Sequence, residues 1–160
     1  MSDHATPTRS VGGSTARPSQ SSTTTVIRVL AVVTAVLLAV DAYVHLKYAS
    51  QYDTFKTSTM SEGDLFRIQG VVAIVVAIAL LIWPRVLTWV LAILVAGSAV
   101  GAVVLYTYVN VGKLGPIPNL YEGTWDVPGK VPSAVAEGIA TLLAIVGLVL
   151  TLRARRHRAH

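Results

Sequence analysis

Apolar residues run in four long blocks, 26–48, 65–83, 86–109 and 133–152, separated by shorter polar stretches. A run such as VVAIVVAIALLIW at 71–83 lacks the two-residue alternation of a half-buried strand or a membrane β-barrel. Each block has about 20 residues, enough at 1.5 Å per residue to cross a hydrocarbon core about 30 Å thick. Helices are the expected form, because lipid offers no partner to an open backbone N–H or C=O. The pattern therefore predicts an all-α polytopic membrane protein, a four-transmembrane-helix bundle with an ordered outer loop.

The block edges carry their own signals. Ser61-Glu62-Gly63-Asp64 has the spacing of a capping box, with Asp64 in place of the usual Glu or Gln, and starts the second helix near Glu62. Trp83-Pro84-Arg85 leaves room for only a very short turn, so the second and third helices form an antiparallel hairpin. Pro132 suits the first turn of the fourth helix. Gly97-x-x-x-Gly101, Ala73-x-x-x-Ala77 and Ala134-x-x-x-Gly138 are spacings that let membrane helices approach closely.

Residues 1–25 contain one Val and no Leu, Ile or aromatic residue, too little apolar area to offset ordering, and read as a disordered cytoplasmic tail. The first helix reads as a retained anchor rather than a cleaved leader, because its polar prelude is long and no small-x-small site follows it. Residues 26–152 form the transmembrane domain, and 153–160 a basic cytoplasmic tail.

Composition narrows the classes further. The chain has 160 residues, 53% of them hydrophobic and 13% charged, against about 25% charged in ordinary soluble domains; its mean hydropathy is +0.62. A soluble globular domain and a disordered chain are both excluded. The absence of cysteine excludes a disulfide scaffold, a thiol nucleophile and thiolate metal sites. No Walker A, GxSxG, HExxH or GxGxxG motif occurs, so no enzymatic activity and no cofactor is assigned.

Lys and Arg placement sets the orientation. With the N-terminus inside, eight cations fall on the cytoplasmic side and five outside, and the five are balanced by Asp53, Glu62, Asp64, Glu122 and Asp126. The RARRHRAH end reads as a stop-transfer cluster against anionic lipid rather than a nucleic-acid patch, because it directly follows a membrane helix. The lipid bilayer is thus the expected partner, the plasma membrane the expected location, and a homo-oligomer or larger membrane complex is compatible with the small-residue seams.

The outer side carries the chemistry. Asp41 and His45 are four residues apart on the first helix and share a face. Gln69, Tyr106 with Asn110, and Glu137 bring polar groups from the other three helices to the same level. Charges at that depth are costly unless they satisfy one another. Gln69 is expected to face inward and Arg67, two residues away, to snorkel outward. Asp41, His45 and Glu137 suit a hydrogen-bonded network that fixes helix register, a proton relay, or a divalent-metal site. The segment 110–131 is rich in Pro and Gly, yet holds Leu114, Ile117, Leu120, Tyr121 and Trp125. It is expected to form an ordered lid, with Tyr121 and Trp125 buried against the bundle's outer end or the membrane interface.

The D-x-x-x-H-L stretch at 41–46 and the segment LGPIPNLYEGTW…VPSAVAEG at 114–138 resemble uncharacterised small four-helix integral membrane proteins of actinobacteria. The resemblance covers residues 26–152. It implies a four-helix topology in a bacterial inner membrane and supplies no activity. The sequence reading is a structural or accessory membrane subunit. Its alternative is a small-ligand, divalent-metal or proton-handling protein using the outer Asp/His/Glu cluster.

Overall fold

A computed structural model describes residues 20–156, with side chains from residue 22 onward. Four α-helices follow one another: α1 Gln20–Tyr48, α2 Glu62–Ile82, α3 Val86–Tyr108 and α4 Lys130–Arg156. A single 3-10 turn, Ala49–Tyr52, continues α1. Each helix is long and apolar enough to cross a membrane, and the protein is an all-α four-helix bundle of multi-pass membrane type.

Two boundaries differ from expectation. Residues 20–25, expected in the disordered tail, are the first turns of α1, since extending an existing helix is far easier than nucleating one. Residues 153–156, expected in the basic tail, extend α4. What remains of the two expected tails, 1–19 and 157–160, lies outside the described residues.

Local chemistry fixes the helix starts. Ser61 Oγ accepts from the Asp64 amide at 3.0 Å, and Asp64 Oδ2 accepts from the Ser61 amide at 2.9 Å, so the capping box at the start of α2 is formed in both directions. At the three-residue turn into α3, Thr88 Oγ1 accepts from the Arg85 amide at 3.0 Å and donates to Trp83 O at 2.7 Å. One threonine thus pins the hairpin.

α1 packs on α2 and α4, and α3 packs on α4, whereas α2 and α3, although consecutive, pack less against each other than these pairs do. The contact surfaces are built from small residues. Ala35, Ala42, Ala73, Ala92, Ala96 and Ala144 are buried, with Leu38, Leu80 and Trp89 as the large fillers. Without a hydrophobic drive between helices in lipid, close backbone approach and van der Waals contact hold them. α4 meets α3 closely at Gly147, where any Cβ would overlap the Trp89 indole. Gly101 and Gly138 face open space, so neither of their expected seams packs closely along its length. Outward-facing Leu87, Leu142 and Val75 are 67%, 65% and 59% exposed. An apolar surface of this kind suits hydrocarbon and not water.

One end of the bundle carries the 83–85 turn. The other, the loop end, carries both long connections, 49–61 and 109–129. The longer loop is ordered by Glu122 N donating to Tyr106 O at 3.3 Å. It is tied to the shorter loop by Thr57 Oγ1 donating to Pro116 O at 2.7 Å.

Candidate functional site at the loop end

The site begins with Asp41 on α1, fully buried. Three helices aim donors at its carboxylate. Gln69 Nε2 on α2 donates to Oδ2 at 3.1 Å, and Ser133 Oγ on α4 lies 3.0 Å from Oδ1. His45 Nδ1, one turn up α1, lies 2.8 Å from Oδ1 and 3.1 Å from the Asp41 carbonyl. Both atoms opposite Nδ1 are acceptors, so Nδ1 carries the hydrogen and the lone pair of a neutral ring sits on Nε2. The ring also packs edge-on against Phe66, with centroids 5.0 Å apart.

Glu137, one turn along α4 from Ser133, is also fully buried. Its Oε1 lies 2.7 Å from Ser133 Oγ. Its Oε2 is buried with no hydrogen-bond partner among the described residues. Asp41, His45 and Glu137 each offer a donor atom within 4.8 Å of the others. The expected cluster is therefore assembled from α1, α2 and α4. Gln69 faces inward, and Arg67 turns away to Asp53, which it grips at 2.8 and 2.7 Å. The guanidinium holds the Asp53 carboxyl below the usual carboxylate range.

Two members expected from α3 stand differently. Tyr106 lines the adjoining cavity rather than bonding to the acids. Asn110 does not join the cluster at all. α3 ends at Tyr108, so Asn110 is already in the loop, where its Oδ1 accepts from Gly112 N at 3.2 Å and Asn119 Nδ2 at 3.0 Å.

Beside the cluster lies a cavity of about 430 Å³, bounded by all four helices and the long loop. His45, Gln69 and Ser133 form a polar wall, while Phe66, Val103 and Leu120 are among its apolar ones. The cavity lies among α2, α3 and the long loop, where α2 and α3 pack little against each other.

The loop does act as a cover, but not through the aromatics the sequence singled out. Tyr121 is 42% exposed and folds back on Gly123. Tyr121 is therefore not packed against the bundle's outer end, one of its two expected places; the chain turns beside it at Gly123, with a positive φ of 68°. Trp125 is half-buried, its Nε1 donating to Tyr108 Oη at 3.0 Å. The cavity is covered instead by Ile117, Leu120, Glu122 and Pro128.

Sequence reasoning missed the latch that holds this cover. Lys130, buried at the start of α4, pairs with Glu122 at 2.7 Å and donates to Thr124 O at 2.7 Å. Tyr52 Oη donates to the other Glu122 oxygen at 2.8 Å. Ser133 was also missed, although its four-residue spacing from Glu137 is the signal that paired Asp41 with His45. Nothing in the spacing of Glu122, Lys130 and Tyr52 points to their meeting. The chain matches no protein-family model, no curated protein and no solved structure.

Proposed function

We propose that this protein lies in the plasma membrane with both termini cytoplasmic and binds a small, mainly apolar ligand in the cavity at its loop end. The cavity carries the reading. A cluster that only fixed helix register, as a structural or accessory subunit would need, requires no space beside it. The volume falls within the range of about 300–1,000 Å³ usual for small-molecule sites. The wall chemistry also fits such a site, apolar with a few convergent polar groups. His45, Gln69 and Ser133 would hold the polar end of the ligand, and Phe66, Val103 and Leu120 its body.

Native mass spectrometry of the chain purified from its host membrane tests this. The wild type should carry one small organic adduct per chain. Ala102→Trp, which fills the cavity from α3, should lose it while keeping its helix content. Adduct-free spectra for both would reject the ligand.

The orientation rests on the Lys and Arg distribution, and the bacterial inner membrane on the resemblance to actinobacterial proteins. Single cysteines at Ser21, Thr124 and Ala159 test the orientation with an impermeant thiol reagent on intact cells. Thr124→Cys should label and the other two should not; the opposite pattern would invert the topology.

A further inference from the structure

Ser133 Oγ carries one hydrogen yet lies within bonding distance of two carboxyl groups, Asp41 at 3.0 Å and Glu137 at 2.7 Å. His45 contributes its Nδ1 hydrogen, and Gln69 contributes another, but both go to Asp41. Glu137 Oε2 is left buried without a hydrogen-bond partner among the described residues. The cluster thus presents two acids to too few hydrogens, in a place where uncompensated charge is costly. A proton or a cation would complete it.

We propose that Asp41, His45 and Glu137 bind a first-row divalent metal ion through two carboxylate oxygens and His45 Nδ1, the nitrogen beside Asp41, whose hydrogen moves to Nε2 when the ion binds. Three observations support a metal rather than a lone proton. The three donor atoms lie within 4.8 Å of one another, and carboxylates on rotatable stems can close this to the roughly 3.4 Å that bonds of about 2.1 Å require. Two carboxylates and a neutral imidazole make an O,O,N set whose charge a divalent ion cancels. His45 and Ser133 also border the cavity, which leaves room for the further coordination positions of an open three-ligand site. Gln69 and Ser133 would act as outer partners that orient the Asp41 and Glu137 carboxylates. The three protein ligands are present whatever fills the cavity.

The test uses the full chain in detergent with His4, His157 and His160 replaced by alanine, so that the tail imidazoles bind nothing. After chelator treatment, Zn²⁺, Mn²⁺ and Co²⁺ are titrated separately. One ion per chain is expected, and Co²⁺ should develop the visible absorption of a site with fewer than six ligands. Asp41→Asn and Glu137→Gln should each weaken binding by at least about tenfold, with helix content and elution volume unchanged. The Co²⁺ spectrum of the unsubstituted site requires no cluster variant, so the test survives if either variant misfolds. A chain that takes up none of the three ions overturns the site, and so does a folded Glu137→Gln protein that binds as tightly as its parent. Metal uptake with no organic adduct would keep the ion and reject the ligand; an adduct without metal uptake would reject the ion alone.

Discussion

Ser133 on α4 reaches Asp41 on α1 at 3.0 Å across the bundle, 92 residues away in the chain. The same hydroxyl touches Glu137, so one serine ties two buried acids from two helices. Ser133→Ala removes the one hydroxyl hydrogen that the two buried acids share. The expected loss is about 1–3 kcal/mol of stability, read as a lower melting temperature in detergent. A melting temperature equal to wild type would show that the hydroxyl carries none of the cluster's order.

The cover over the cavity hangs on Glu122, held by Lys130 at 2.7 Å and Tyr52 at 2.8 Å. Tyr52→Phe removes one of these bonds, worth about 1 kcal/mol. Amide hydrogen exchange over residues 110–129 should then quicken about fivefold, with α2 and α3 unaffected. Exchange that changes equally along the whole chain would mean the bond supports global folding rather than the cover.

Gly129 sits at φ 85°, a conformation side chains disfavour. A Cβ there would also strike Tyr48 and Val44. Gly129→Ala should therefore cost about 1–3 kcal/mol from backbone strain, in addition to the contact. Adding Tyr48→Ala should recover only the Tyr48 part of the contact. Full recovery in the double variant would show that the backbone angle contributes nothing.

Asp53 is gripped by Arg67 at the water-facing loop end and titrates below the usual range. A depressed carboxyl contributes stability that is fully present above its unfolded value, near pH 4. That contribution is lost as pH falls through the lower folded value. Wild type and Asp53→Asn should therefore differ in melting temperature by a constant, small amount above about pH 4. The gap should narrow below it. A gap that widens on acidification would contradict the pairing.

The sequence by itself determined the four helices, their membrane-spanning length and the hairpin at Pro84. These follow from apolar block length and local backbone chemistry, which need no knowledge of neighbours. The four-residue spacing of Asp41 and His45, together with the cost of charge at that depth, also brought the acids, the imidazole and Gln69 to one interior level. Local chemistry did not reach the loop end. Asn110 left the cluster because α3 stops two residues short of it, and Tyr121 stayed exposed where Gly123 turns the chain. The latch among Tyr52, Glu122 and Lys130 joins residues as far as 70 apart in the chain. Only the tertiary structure decided that α2 and α3 would pack little against each other and leave a cavity beside the acids. Helix separation depends on which small residues meet across each seam, and apolar periodicity does not specify which face of one helix meets which face of another.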